Sequence, residues 1–142
     1  MTIEDAIAFA ARKHKGQPDK AGKPYIWHPL RVALQLDDER AQLAAVLHDV
    51  IEDSGATIRE LARRGVPADV LRAVSHLTKR PGEKNKYLQF IRRVKRDPIA
   101  RLVKEADIRD NLDPKRLALL SPEKRRELKE KYRPALAELR RR

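Results

Sequence analysis

Apolar residues recur along this chain at three- and four-residue spacing, and polar or Pro/Gly-rich breaks cut the pattern into segments of helical length. Ile3, Ala6, Ile7 and Ala10 share one face behind Thr2, a capping residue, and the segment ends near Gly16. "GQPDKAGKPY" has no period and reads as a loop. Pro29 suits the first turn of a short helix, "HPLRVALQL", which puts His28 at its N-terminal edge. Asp37 or Asp38 opens a third helix that carries Leu43, Val46, Leu47, Val50 and Ile51 on one side. Thr57 and Glu60 form a capping-box pattern ahead of a helix closed by Gly65, and Pro67 starts another that runs to about Leu77. After the turn-rich "KRPGEKNK" come "YLQFIRRVKR" and "PIARLVKEADIRDNL", the second begun by Asp97-Pro98. Ser121-Pro122-Glu123 then opens a long charged helix over about 121–140, with Leu128, Tyr132, Ala135, Leu136 and Leu139 at helical spacing. No strand, repeat or low-complexity linker stands out. The pattern predicts an all-α fold, a single compact bundle of about eight helices over residues 1–142.

Composition sharpens this in two ways. The chain has no cysteine, which removes disulfides and thiolate metal ligands, and it has no apolar run of membrane-spanning length. With Glu4 and Asp5 in an N-terminus that lacks a signal-peptide layout, the expected location is cytoplasmic. The net charge of +12 favours anionic partners. From Lys115 to Arg142 there are eleven basic and four acidic side chains, so over half the excess lies in the tail. Aromatic residues are not interleaved with those cations as a base-stacking platform requires, so nucleic acid is the secondary class of partner and phosphorylated small molecules the first. The last helix either packs across the bundle or pairs with a second subunit.

The candidate chemistry sits in "AAVLHDVIED", residues 44–53. On a helical wheel His48, Asp49 and Glu52 lie opposite the apolar side, with Asp53 at the margin and the small residues Ala41 and Ala45 behind them. An ordinary amphipathic surface helix would show the same split. Elsewhere His28 lies in the apolar "PYIWHPL", and Asp107 sits mid-helix with Asn111 one turn on. Two imidazoles and two carboxylates from three helices make an octahedral N/O site with vacant positions, a set that suits Mn²⁺ or Fe²⁺ over structural zinc.

The order His … His-Asp … Asp is that of the HD-domain metal phosphohydrolases. "HKGQ … GKPYIWHPLRVA", "AAVLHDVIED" and "VKEADIRDNL" together resemble the (p)ppGpp hydrolase domain of the RelA/SpoT family in its small single-domain form, from about Ala6 to Asn111. The resemblance implies that His28, His48, Asp49 and Asp107 hold one divalent metal, usually Mn²⁺. It implies that Glu52 and Asp53 are the acidic pair beside an attacking water, and Asn111 the catalytic-site asparagine. The implied reaction is hydrolysis of the 3′-pyrophosphate of a guanosine alarmone. An adjacent carboxylate is useful because Mn²⁺ acidifies water less than zinc does; Glu52, one turn beyond His48, is the expected proton acceptor. Lys20, Lys23 and Lys104 are expected to meet substrate phosphates, and His14 to sit by the substrate loop.

Several positions depart from the family. Asp19 and Ala21 stand where an arginine and a serine are usual, Ile108 replaces a basic residue, and Asp110 a histidine or tyrosine. After Asn111 the chain reads "LDPKRL", with Asp113, Pro114 and Lys115 in place of Arg-Thr-Leu. The altered positions belong to the base pocket. An adenosine alarmone, a 3′-nucleotide or a nucleoside monophosphate therefore stays open as substrate, as does a non-catalytic HD domain that binds nucleotide or RNA. His76 is expected to be a packed or surface histidine, and Tyr87 to pack in the core with a place near the pocket as the alternative.

Overall fold

The computed structural model describes every residue except Lys84 and Arg142. Among the described residues it is helical throughout, and the nearest approach to a strand is one antiparallel bridge between Pro18 and Pro24. The helices are α1 Ile3–Lys13, α2 Trp27–Leu34, α3 Glu39–Leu47, α4 Val50–Ser54, α5 Ile58–Arg63, α6 Ala68–Leu77, α7 Tyr87–Val94, α8 Pro98–Asn111, α9 Pro114–Leu117 and α10 Pro122–Arg140. A 3-10 turn spans Pro81–Glu83. Among the described residues, no helix is long and apolar enough to cross a membrane.

Among the described residues, ten helices replace the expected eight for two reasons. Asp113-Pro114 starts a short helix, α9, after α8. More importantly, the helix expected to run through "AAVLHDVIED" breaks at His48–Asp49. The His48 amide reaches only the Ala45 carbonyl, at 3.5 Å, and Asp49 sits at φ −103°, ψ −3° before α4 resumes. The apolar positions on either side of the break keep helical phase, so the pattern alone does not reveal it.

Helix starts follow the expected chemistry. Asp38, Thr57, Asp97 and Ser121 each accept a hydrogen bond from the backbone three residues on. The reciprocal capping box, however, forms at Thr2 and Asp5. At Thr57 it stays one-sided, because Glu60 turns its carboxylate to Lys13 and Arg64.

α3 and α8 form the centre. α3 buries Ala41 and every residue from Leu43 to Leu47, and it packs on α1, α2, α6 and α8. Its alanines let those neighbours approach closely. α8 contributes Ala100, Val103, Ala106 and Ile108 to the same core. α10 lies across α7 and α8 and buries Leu128, Tyr132, Ala135 and Leu139, so its apolar face is used within the chain. The consequence for function is placement: the C-terminal end of α3, the first turn of α2 and the second half of α8 converge.

Candidate metal centre

Four of the expected side chains meet at that convergence. The ligand atoms of His28, His48 and Asp49 lie within 4.8 Å of one another. Asp107 Oδ1 is 2.7 Å from His28 Nε2 and 3.5 Å from His48 Nε2. The break after Leu47 makes this possible. It turns His48 inward, where it is buried, and lets Asp49 follow it. Opposite faces of one continuous helix, as the wheel had it, would have separated His48 from the core.

Each imidazole is oriented by what its other nitrogen does. His48 Nδ1 donates to the Ala45 carbonyl at 2.5 Å. Its Nε2 is buried and without a hydrogen-bond partner, 3.0 Å from Asp49 Oδ2, and in the neutral ring it carries the lone pair. His28 Nδ1 donates to Asp110 Oδ2 at 2.6 Å, which points its Nε2 at Asp107. A buried nitrogen lone pair facing two carboxylates is a costly arrangement unless a cation joins them. The donor set, two neutral nitrogens and carboxylate oxygens, fits a divalent ion.

The electrostatics agree. Burial works against a charged imidazole, yet Asp49 and Asp107 outweigh it and hold His48 well above its ordinary pKa. Asp107 and Asp110 do the same for His28. Burial likewise opposes ionisation of Asp107, but Lys104 and the two histidines keep it well below the carboxylate range. The site holds positive charge by whatever means is available, proton or metal.

Around this cluster is a cavity of about 330 Å³, lined by residues of the 18–20 loop, α2, α4, α7, α8 and α10. Lys104 is buried, donates to Asp107 Oδ2 at 2.8 Å, and is kept charged by that carboxylate although burial would lower its pKa. Asn111 lines the cavity, donates to Asp107 Oδ1 at 3.4 Å and accepts from Arg116 at 3.3 Å. Glu52 also lines it, exposed, with Oε1 accepting from the Lys79 amide. Because the helix breaks, Glu52 no longer shares a helix face with His48; it reaches the cavity from α4. Asp53 lies off the lining, its pKa raised to about 6 by loss of solvent and by Asp49. Lys20 lines the cavity, whereas Lys23 faces a separate cleft with Gly16 and Gly22. His14 is buried behind the site, bonded to Gln17 at 2.8 Å and 5.0 Å from the Tyr25 ring, and it supports the loop. His76 caps nothing at the site; its Nδ1 bonds the Arg72 carbonyl.

Other residues of the site escaped the sequence. The Tyr25 hydroxyl donates to Asp49 Oδ2, and burial plus that carboxylate raise its pKa strongly. Asp110 is buried between His28, Arg31 and Arg116: Arg31 Nε donates at 2.8 Å and Arg116 Nη1 at 2.8 Å. Asp19 folds back on its own loop, accepting from the Ala21 and Lys23 amides at 2.9 Å, with Arg116 at 3.6 Å. Lys79, Lys131 and Tyr132 line the cavity, and so does Tyr87, for which a place near the pocket was the alternative to core packing. The one available signal was Asp110's position three residues after Asp107, on the same side of α8.

Fold and site place the chain among proteins built to hold a metal between helices. The family described as "HD domain" matches residues 6–131, and the chain belongs to it. The chain is 35% identical over 136 residues to the guanosine-3′,5′-bis(diphosphate) 3′-pyrophosphohydrolase of Aquifex aeolicus, and 33% over 140 residues to the bifunctional (p)ppGpp synthase/hydrolase SpoT of Escherichia coli. Each match takes in 89% of this chain but only 19% of the relative, so the chain spans about a fifth of their length. It is 39% identical over 119 residues to the human 3′-pyrophosphohydrolase MESH1, covering 76% of this chain and 66% of that one. A solved structure described as a metazoan ortholog of SpoT that hydrolyzes ppGpp superimposes with a TM-score of 0.81 at 27% identity, over 97% of this chain and 85% of the other.

Proposed function

We propose that this protein is a divalent-metal phosphohydrolase that removes the 3′-pyrophosphate from a (p)ppGpp-like nucleotide, with Mn²⁺ as the metal. One observation carries the reading: the buried, partnerless His48 Nε2 lies beside Asp49 and Asp107, whose side chains line a cavity walled by cations. The printed names of the relatives support the same chemistry. His28, His48, Asp49 and Asp107 would hold the ion, which lowers the pKa of a bound water and neutralises phosphoryl oxygens when present.

The chain's own groups do the rest. Glu52, exposed to the cavity and anchored through the Lys79 amide, is the proton acceptor for water. Asn111, held between Asp107 and Arg116, offers donor and acceptor to a phosphate oxygen without adding charge. Lys104 compensates Asp107, so that the carboxylate does not repel the incoming phosphate. Asp53 supports the loop through its carbonyl, which accepts from Gln17 Nε2 at 2.9 Å.

A second reading concerns the base. Asp19 is engaged by its own loop and by Arg116, so the loop offers no cation to a guanine ring at that position. An adenosine alarmone is the alternative substrate. The test loads the protein with Mn²⁺, removes excess metal, and supplies ppGpp, pppGpp, ppApp, pppApp and simple 3′- and 5′-phosphates. The expected result is pyrophosphate released from one alarmone and lost in His48→Ala/Asp49→Ala. No pyrophosphate from any alarmone, with metal shown to be bound, rejects the reading.

A further inference from the structure

α10 packs its apolar residues on α7 and α8 and presents a shallow groove of about 630 Å³ on its outer side. Arg125, Arg126, Lys129 and Arg133 line the groove, with Glu130 and Pro134 beside them. None of these residues lines the cavity around the metal cluster. Among the described residues, none of the four cations has a carboxylate within ion-pair distance. Elsewhere on the same helix cations do find acids: Lys124 lies 3.4 Å from Glu127, and Arg140 3.0 Å from Glu105.

The single sign of this stripe needs a physical reason. Arg125, Lys129 and Arg133 stand four residues apart, so neighbouring cations lie about 6 Å from one another along the axis. Like charges at that spacing destabilise a helix. A face kept merely soluble mixes its signs, as the rest of α10 does. An anion laid along the stripe would remove the repulsion, and three of the four cations are arginines, whose planar forks suit phosphate oxygens.

The chemistry of the face selects among anionic partners. A membrane surface would need apolar side chains to insert, and the exposed large apolar residues Trp27, Leu34, Leu88, Leu102 and Leu119 all lie outside α10. An acidic protein would need an aromatic or aliphatic anchor, which the groove does not offer. A single strand would need rings on which bases stack, and the groove has none. A phosphate backbone needs only spaced cations. The helix is half sunk in the bundle and forms a low ridge, which suits the wide, shallow minor groove of an A-form duplex. Pro134 has no N–H, so the carbonyl of Glu130 lacks its usual helical donor. A ribose 2′-hydroxyl is such a donor, and DNA has none. We propose that the outer face of α10 binds double-stranded RNA through its backbone, without reading sequence, and leaves the metal-site cavity open.

The test is fluorescence anisotropy of a labelled RNA duplex of about 20 base pairs at about 0.15 M salt. Wild type is compared with Arg126→Gln/Lys129→Gln/Arg133→Gln. The control, Arg12→Gln/Arg59→Gln/Arg63→Gln, removes the same charge from exposed positions on α1 and α5. The α10 variant should bind at least about tenfold more weakly, and the slope of log affinity against log salt should shrink by about two to three. The control should change affinity by less than about threefold. Arg126→Gln alone, at an exposed position, should weaken binding about threefold, and it carries the test if the triple variant unfolds. A DNA duplex of the same sequence, the single-stranded RNA, and phosphatidylserine–phosphatidylcholine vesicles should all bind more weakly than the RNA duplex. No binding of duplex RNA, an equal loss in the control, or equal binding of any of those three competitors overturns the proposal.

Discussion

Asp110 shows how much one side chain decides. Its carboxylate receives His28 Nδ1 and two arginines, and its pKa is lowered by those partners in spite of burial. It fixes the tautomer that leaves His28 Nε2 free to coordinate. Asp110→Asn keeps the shape but weakens the acceptor and leaves Arg31 and Arg116 short of a counter-charge. Mn²⁺ affinity, measured by titration calorimetry, should fall about 10–100-fold, with the fold retained by circular dichroism. An unchanged affinity would show that His28 is oriented by its packing alone. This network was not legible in the sequence, where Arg31, Asp110 and Arg116 each read as surface charge. Arg31 and Asp110 are 79 positions apart, and only the packing of α2 on α8 brings them together. The four proposed ligands, whose side chains the fold brings together, were easier to single out, because each belongs to a short local word.

Among the elements, helix starts were the most legible feature, since a cap is a local hydrogen bond between residues three apart. Asp97 is the strongest of them: buried, it accepts from the Ala100 amide at 2.8 Å and from Arg72 Nε at 3.1 Å, and Pro98 follows it. Asp97→Ala removes the cap from the helix that carries Lys104, Asp107 and Asn111. It should cost about 1–2 kcal/mol in urea denaturation; a loss below a few tenths would mean that the packing of α8 holds its first turn unaided. The break between α3 and α4 was the least legible feature. Val46, Leu47, Val50 and Ile51 continue the helical period across it, and its causes are tertiary: the Tyr25 hydroxyl on Asp49 and the burial of His48. A helix interrupted by its own functional residues looks continuous until its partners are known.

For the molecule as a whole, the pH dependence of stability should show a pair that is not part of the candidate metal cluster. Glu83 is buried and held by Arg93 through two bonds of 2.8 Å, which bring its pKa down to about 2 from an ordinary 4.5. A depressed carboxyl stabilises the folded state above its unfolded value and ceases to do so as pH falls. The stability difference between wild type and Glu83→Gln should therefore be complete above about pH 5 and shrink steadily toward pH 2, as read by denaturation at each pH. A difference independent of pH would assign the role of Glu83 to shape and not to charge.

α10 has a consequence at this scale that concerns variation over time. The helix seals the core with Leu128, Ala135 and Leu139, and one turn of it also supplies Lys131 and Tyr132 to the cavity. On the proposed reading, selectivity would be written on an element the bundle cannot give up. On that reading, α10 would alter substrate preference only through the few positions that face the cavity. Outward positions such as Arg126 and Arg133 are free to change without altering what the site accepts. Descendants of this chain should diverge in surface charge faster than in the nucleotide they choose.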